Sequence, residues 1–159
     1  MSTNKTRTLD RIDLTILDTL QRDGRISNVE LAKKVHLSAS PCLDRVKRLE
    51  SEGYIQRYGA FLDASKLKYG MSAFIQVTLD RTTGEVFNCF RDEVIKIKEV
   101  AECHMIAGGF DYLLKLRFAD MDAYRELLGI VVELPGVSQT HTYVVMEHIK
   151  KDLGIPVLD

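Results

Sequence analysis

The sequence lacks a long apolar run, since no stretch of its 159 residues approaches the roughly 18 apolar residues of a membrane-spanning helix. The N-terminal stretch MSTNKTRTLDRID is polar and has no apolar segment of the kind found in signal peptides. Cysteine is scarce: Cys42, Cys89 and Cys103 are odd in number and form no CxxC pair. These features favour a cytoplasmic protein with reduced thiols over a secreted disulfide scaffold.

Motifs of common enzymes are missing as well. The sequence contains no GxSxG, P-loop or GxGxxG motif, and its four histidines have no metal-ligand spacing. Cys103 and His104 are adjacent in a predicted strand, so they would face opposite sides and could not act together as nucleophile and base. The residues therefore indicate a protein that is not an enzyme and that uses neither a cofactor nor a metal.

Charge is small in total but uneven along the chain. The net charge is −1, yet residues 1–60 carry eleven Lys and Arg against eight Asp and Glu, and residues 61–159 carry eleven against fifteen. The first part of the chain is basic and the remainder is acidic, which indicates that a polyanion would bind to the first part. The 45% hydrophobic content fits a folded chain, and the length allows one ordinary domain or two small ones.

The first 37 residues predict two helices. Apolar residues from Leu9 to Leu20 recur at helical spacing, and Asp10 is placed to cap the first turn. The sequence SNVE then places Ser27 at the next cap with Glu30 three residues on, which is the pattern of a capping box.

A third helix is predicted from the stretch SASPCLDRVKRLESEG. Ser38 is placed at its cap, Pro41 lies in its first turn, and Leu43, Val46 and Leu49 form the expected buried stripe. Two short helices joined by a tight turn, the second with a polar and basic face, are typical of a helix-turn-helix. In that motif the second helix enters the major groove of DNA.

The outward face of this third helix supplies the candidate DNA contacts. Because the N-terminal residues of a recognition helix reach base edges, we expect Ser40, Pro41 and Asp44 near the bases. Arg45 and Arg48 are expected to face outward and take bases or phosphates. The same residues also fit a compact three-helix bundle with a solvated basic face and no DNA function. The remaining candidates on this stretch are Ser38 and Lys47.

The pattern changes after the helices. Residues 54–61 are typical of an extended strand that forms a wing or connects two domains, and from Met71 the apolar period is two. The order βαββαβ predicts a four-stranded antiparallel sheet with both helices on one face. The second of these helices is expected to turn Met121, Leu127 and Val131 inward. The predicted strands are Met71–Leu79, Val100–Ala107, Tyr112–Phe118 and Val137–Glu147, and the helices cover about 85–96 and 121–131.

Two features of this sheet leave alternatives open. Its uncovered face carries Phe74, Met105 or Tyr143, depending on register, and we expect two copies to pair through it. The segment HMIAGGFDYLLKLRF joins two strands by Gly108-Gly109. This pair is either a two-residue hairpin turn or a loop where the backbone approaches a ligand whose positive end meets Asp111.

Three stretches together, LDRIDLTILDTLQRDGRISNVELAKKVHLSASPCLDRVKRLESEGYIQ, AGGFDYLLKLR and LPGVSQTHTYVVME, resemble the Lrp/AsnC (feast/famine) family of bacterial transcription regulators. The resemblance runs from about Leu9 to Lys150 and points to the leucine-responsive branch, judged from SPCLDRVKRLE and TYVVME. It implies an α+β protein with a winged helix-turn-helix DNA-binding domain in residues 1–55, a strand or linker in 56–66, and a ferredoxin-like (RAM) domain for effector binding and oligomerisation in 67–159. It further implies a homodimer that assembles into octamers or larger particles and associates with the nucleoid.

The resemblance also implies a site for a small amino acid between dimers. A free amino acid presents a carboxylate and an ammonium group close together. In this interpretation the glycine N–H groups and Thr140 hold the carboxylate, Asp111 holds the ammonium, and an apolar wall favours leucine- or methionine-like side chains. Eight residues match the family's effector loop, the positions that set its response to effector, or the positions that touch the ligand. They are Met105, Gly108, Gly109, Asp111, Met121, Ser138, Thr140 and Tyr143.

Two other functions fit the same sequence. One is an architectural DNA-binding protein that ignores every effector. The other is an enzyme resembling the sirohaem decarboxylases, which are built on a similar fold, although the basic third helix argues against it.

Overall fold

The computed structural model describes residues 8–150 and 154–158. The described residues up to Phe61 form one compact unit together with the C-terminal residues 150 and 154–158, and Leu62–Ile149 form the other. None of the helices in the described part of the chain is long and apolar enough to cross a membrane.

Three helices build the first unit: α1 (Arg11–Arg22), α2 (Asn28–Lys34) and α3 (Ala39–Ser51). The two predicted caps are confirmed, because Asp10 and Asp13 bond each other's backbone N–H groups reciprocally at the start of α1, and Ser27 and Glu30 do so at α2. Such reciprocal bonds satisfy two N–H groups that a helix terminus otherwise leaves without partners. Ser38 occupies the cap of α3, but its side chain makes no capping bond.

The turn between α2 and α3 has a defined backbone geometry. His36 has a φ of 56°, in the left-handed region, and the N–H of Leu37 donates to the carbonyl oxygen of Ala32 at 2.9 Å. This pattern closes α2 with a Schellman motif. Across the turn, Nδ2 of Asn28 donates to the carbonyl oxygen of Ala39 at 2.8 Å, which ties the beginnings of the two helices together.

The core of the first unit differs from the predicted stripe at one position. Cys42 and Leu49 are fully buried and Val46 is half-buried, whereas Leu43 is 40% exposed. At about 100° per residue, Cys42 and Leu49 point the same way and Leu43 lies a quarter-turn round the helix. The expectation that Leu43 is buried is therefore wrong, and Cys42 takes its place in the core.

Residues 54–66 form no strand in the described chain, which corrects the expectation of a wing or connecting strand at residues 54–61. A strand needs a neighbour to accept and donate its backbone hydrogen bonds, and the described residues provide none for this segment. Phe61 and Leu62 nevertheless expose 78% and 70% of their surface, which marks the segment as apolar and uncovered.

The second unit has the predicted βαββαβ order. Its elements are β1 (Met71–Leu79), α4 (Gly84–Val94), β2 (Val100–Met105), β3 (Tyr112–Phe118), α5 (Met121–Val132) and β4 (Val137–Val144). The strands lie in the order β2-β3-β1-β4 and all neighbours are antiparallel, so the expected ferredoxin-like topology is confirmed.

Both helices cover one face of this sheet. The alternating residues of β1 and β3 meet Phe90 and Val94 of α4 and Leu127 and Val131 of α5 in a single buried cluster. Met121 stands apart, since 43% of its surface is exposed, and the expectation that it points inward is wrong. As the first residue of α5, it lies beyond the edge of the packed turns.

The register settles which residues lie on the uncovered face. Phe74 lies between the buried residues Ala73 and Ile75, so its side chain is on the open face. Tyr143 pairs with Phe74 directly across β1 and β4 and therefore shares that face. Met105 pairs instead with Tyr112, which is buried under the helices. Of the three residues considered for the open face, Phe74 and Tyr143 are on it and Met105 is not.

The C-terminal residues of the first unit are held by one side chain of α1. Gln21 donates from Nε2 to the carbonyl oxygen of Ile155 at 2.9 Å and accepts from the N–H of Ile155 at Oε1, also at 2.9 Å. The amide thereby pairs with the backbone as a neighbouring strand would.

Candidate nucleic-acid interface and effector loop

Helix α3, the second helix of the helix-turn-helix, has a polar outward face. The structure places Ser40, Pro41, Asp44 and Lys47 on the surface, in agreement with the expected outward face, and Ser38 is exposed at the cap. Ser40, Asp44 and Lys47 are spaced four and three residues apart, so they lie one above another along one side of the helix.

Arg45 faces α1 rather than the exterior. Its Nη1 donates to Oδ2 of Asp10 at 2.7 Å and to Oδ1 of Asp13 at 2.8 Å, and only 26% of the side chain is exposed. The helical angle explains the direction, because residue 45 lies about 140° round the helix from Ser40. The expectation that Arg45 faces outward is wrong.

Arg48 is directed toward the same acid. Its Nη2 lies 2.6 Å from Oδ2 of Asp13, and 22% of the side chain is exposed. The contact is an ion pair without hydrogen-bond geometry, and Nε and Nη2 are buried with no hydrogen-bond acceptor among the described residues. Arg48 is therefore also withdrawn from the outward face that it was expected to occupy.

The charges in this cluster support one another. The Arg45 guanidinium, followed by the backbone N–H of Asp13, holds the pKa of Asp10 below its ordinary value. Hydrogen bonds to Asp10 and Asp13 raise the pKa of Arg45. Asp13 is 1% exposed and faces both arginines, so one buried carboxylate joins α1 to α3. The sequence interpretation missed Asp13, although an acid three residues after a capping aspartate was a usable signal.

The loop that follows β2 is longer than a two-residue hairpin. Strand β2 ends at Met105 and β3 begins at Tyr112, so six residues connect them. A two-residue turn of the favoured types needs a glycine in the left-handed region, and neither Gly108 nor Gly109 has a positive φ. The tight two-residue turn at this pair is therefore wrong, although β2 and β3 do form an antiparallel hairpin across the longer loop.

Nothing within the described chain requires glycine at these two positions. A Cβ built on Gly109 meets no atom within 4 Å, and one built on Gly108 meets only Cγ2 of Ile106 at an ordinary 3.6 Å. Gly136 is the opposite case, since its φ is +78° and a Cβ there would lie 2.5 Å from Cγ1 of Val86. Glycines 108 and 109 thus leave an open backbone surface, whereas Gly136 is needed for packing.

Asp111 holds the loop against the end of β1. Its Oδ2 accepts from the N–H of Leu79 at 2.7 Å, its own N–H donates to the carbonyl oxygen of Val77 at 3.0 Å, and its carbonyl oxygen accepts from Ile106 at 2.8 Å. The carboxylate therefore has a structural role. Removing it would leave the N–H of Leu79 without its partner.

The other effector candidates divide between the two ends of the sheet. Ser138 donates to the carbonyl oxygen of Thr78 at 3.0 Å and Thr140 pairs with Val77, so both lie at the end of β1 that carries Asp111. Met105 pairs with Tyr112 at that same end.

Met121 follows β3 at the opposite end of the sheet, and Tyr143 lies on the uncovered face. Seven residues of β3 separate the two ends by about 20 Å. A cavity of about 450 Å³, lined in part by Tyr69, Phe118 and Leu127, also lies at the Met121 end. One chain therefore does not bring all the candidates together.

Two further observations concern metal ligands and the thiol of Cys42. Among residues 8–150 and 154–158, no group of three or more His, Cys, Asp and Glu is placed to hold a metal ion. Cys42 is buried, and that burial raises the pKa of its thiol, so it is the less reactive form of cysteine.

Comparison with known proteins agrees with this division of the chain. Residues 9–56 match the family model described as a winged helix-turn-helix DNA-binding domain, and residues 72–155 match the model of the Lrp/AsnC ligand-binding domain. The leucine-responsive regulatory proteins of Klebsiella pneumoniae and Escherichia coli (strain K12) are each 54% identical to this chain over 144 residues, which cover 90% of this chain and 88% of theirs.

Solved structures give the same result. A transcriptional regulator from Neisseria meningitidis, in complex with L-methionine, has a TM-score of 0.90 at 38% identity, covering 94% of this chain and 97% of that one. A feast or famine regulatory protein from M. tuberculosis, complexed with L-methionine, has a TM-score of 0.84 at 29% identity, covering 93% and 99%. Since both domains match in this order over nearly the whole length, the chain belongs to the Lrp/AsnC family of DNA-binding transcription regulators, on its leucine-responsive branch, and is not an enzyme.

Proposed function

We propose that this regulator binds double-stranded DNA through the exposed face of α3 and responds to a small apolar amino acid held at the glycine loop. The observation that carries the effector part is the open backbone at Gly108 and Gly109, where the chain itself has no need of glycine. Glycine allows a backbone to be approached closely, and here the approaching group comes from outside the chain. Relatives solved with L-methionine support an amino acid as that group.

For DNA binding, we propose direct contacts from fewer residues of α3 than the sequence analysis suggested. Ser40, Asp44 and Lys47 are exposed along one side of α3, with Ser38 and Pro41 at its N-terminus. We assign base contacts to the N-terminal members and a phosphate contact to Lys47. Arg45 and Arg48 act indirectly, because their bonds to Asp13 set the position of α3 on α1.

On the effector side, the geometry supports a site shared between copies. Gly108, Gly109 and Asp111 lie with Met105, Ser138 and Thr140 at one end of the sheet. Met121 lies about 20 Å away along β3, so it lines the same ligand only if a neighbouring copy supplies it. The free oxygen of Asp111 meets the ammonium group, while Oδ2 stays on Leu79.

The assembly follows from two uncovered apolar surfaces. Phe74 and Tyr143 lie side by side on the open face of the sheet, and Phe61 and Leu62 are exposed in a segment without a strand partner. We assign a homodimer to these surfaces, and octamers or larger particles to contacts at the glycine loop. A regulator of this kind acts in the cytoplasm, on the nucleoid.

The test is a thermal-shift panel of the twenty amino acids on the wild type and on Gly109→Ala, with sedimentation of each mixture. A ligand at about a hundred times its dissociation constant stabilises by roughly 2.7 kcal/mol, which moves the melting temperature visibly. We expect a shift for one or a few apolar amino acids in the wild type and none in Gly109→Ala, whose own fold has room for the methyl group.

Gly129→Ala is the matched control, because its Cβ also meets nothing within 4 Å but lies on α5. It should keep the ligand-induced shift. An unchanged shift in Gly109→Ala would remove the loop from the site. No shift for any amino acid, combined with DNA binding, would favour the architectural function.

A further inference from the structure

Leu43 lies on the outward face of α3 and is not a member of the buried cluster of the first unit among the described residues. It is 40% exposed, while its neighbour Cys42 is fully buried. At about 100° per residue, Leu43 lies within about 60° of Ser40 and within about 40° of Lys47. It therefore shares the surface that these two polar residues present.

Because Arg45 and Arg48 face α1, few side chains besides Leu43 remain on this part of the outward surface of α3. Arg45 and Arg48 are engaged with Asp10 and Asp13, so the second turn of α3 offers Leu43 beside Asp44 as its outward side chains. If this surface faced only water, the apolar area of Leu43 would stay exposed and would contribute no hydrophobic stabilisation. On a helix that enters the major groove, however, one base carries a matching group, the C5 methyl of thymine.

We propose that Leu43 contacts a thymine methyl group in the major groove and is a specificity-determining residue of this regulator. The contact gives the protein a preference for thymine at one position of each half-site. It is apolar and carries no charge, so it adds to specific binding and not to binding of unrelated DNA. The inference rests on DNA binding through α3, as proposed above.

The experiment begins with a binding site selected from random duplex DNA by the wild-type protein. Each thymine of that site is then replaced in turn by deoxyuridine, which removes the C5 methyl group and keeps every base-edge hydrogen bond. We expect one thymine per half-site at which the dissociation constant rises about fourfold, the change that corresponds to ~0.8 kcal/mol for one buried methyl-sized group.

The variant Leu43→Ala should lose affinity for the thymine site by a similar factor and show no further loss at that deoxyuridine. Val29→Ala is the matched control, because Val29 is an aliphatic residue of α2 with 55% of its surface exposed. This control should keep the full methyl dependence. The more conservative Leu43→Met should retain most of it.

Several results would overturn the assignment. A wild-type scan with no methyl-dependent thymine excludes it without any mutant, and so does the same methyl dependence in the wild type and in Leu43→Ala. A change in oligomeric state in Leu43→Ala, without methyl dependence, would instead assign Leu43 to a contact between copies. If α3 did not bind DNA at all, no site would be selected, which distinguishes that failure from this one.

Discussion

Nη2 of Arg48, on α3, lies 2.6 Å from Oδ2 of Asp13, on α1. The Asp13 residue is 1% exposed. A buried acid with two arginine partners is stable only while all three are present, because removal of the acid leaves positive charge uncompensated. This ion pair makes α1 set the position of α3, the helix to which we assign the DNA contacts.

The first prediction concerns that acid. Asp13→Asn should destabilise the first unit by about 3 kcal/mol, since Arg45 and Arg48 lose their shared charge partner. Hydrogen exchange resolved by segment is the suitable measurement: amides of α1 and α3 should exchange faster, while β1 and β3 stay protected. Asp122→Asn is the control, because its ion pair with Arg125 is exposed and contributes little. Equal protection of α3 in Asp13→Asn and the wild type would contradict the prediction.

The second prediction separates direct from indirect DNA contacts. Lys47→Ala should weaken binding to all sequences and lower the slope of log affinity against log salt by about one, as loss of one phosphate contact does. Arg48→Ala should weaken specific binding while the slope changes less, because its charge is already paired with Asp13. Fluorescence anisotropy at several salt concentrations measures both. A larger slope change in Arg48→Ala than in Lys47→Ala would reverse the assignment.

The third prediction is a loss of stability of the first unit in acid. The pKa of Asp10 is lowered by Arg45 and by the N–H of Asp13, and the pKa of Glu30 is lowered by Ser27. A lowered pKa in the folded state means that the stabilisation is fully present above about pH 5 and is lost as the pH falls through the ordinary carboxylate range toward the folded values.

Asp10→Asn tests this directly, because asparagine is also a good helix cap but does not titrate. The variant should be less stable than the wild type at pH 7, and the difference should shrink as the pH falls below about 4. Melting temperatures over a pH series provide the comparison. A constant difference at every pH would show that the Asp10 charge has no part in the stability.

The fourth prediction concerns His36 in the turn between α2 and α3. It is exposed and has a φ of 56°, a conformation that costs a residue with a Cβ about 1 kcal/mol relative to glycine. His36→Gly should raise the stability of the first unit by about 0.5–1 kcal/mol, and His36→Val should lower it by at least that amount. Urea unfolding followed by α-helical circular dichroism gives both values. Stabilisation by valine would show that the turn is not left-handed.

The fifth prediction contrasts two glycines of the second unit. Gly136→Ala should destabilise by more than 2 kcal/mol, because it combines a φ of +78° with a Cβ 2.5 Å from Val86. Gly109→Ala should leave the stability of the unliganded protein within about 0.5 kcal/mol of the wild type. Thermal unfolding without ligand distinguishes the two. Similar losses in both variants would contradict the open surface assigned to Gly109.

The sequence by itself determined the elements whose causes are local. The capping pairs at Asp10 and Ser27 and the alternation from Met71 to Leu79 each depend on residues a few positions apart, so the pattern is enough to predict them. The order of elements then restricted the sheet to one topology, because connections of this length follow fixed rules of handedness.

Tertiary structure alone decided where several functional side chains point. Arg45 and Arg48 turn toward Asp13, a residue more than thirty positions away. Opposite charges attract each other more strongly in the low-dielectric interior of a protein than they do in water. The same holds for Asp111, whose carboxylate is held by Leu79. Long-range partners of this kind leave no periodic trace in a sequence, so only the folded chain shows which charges are already paired and which, such as Lys47, stay exposed.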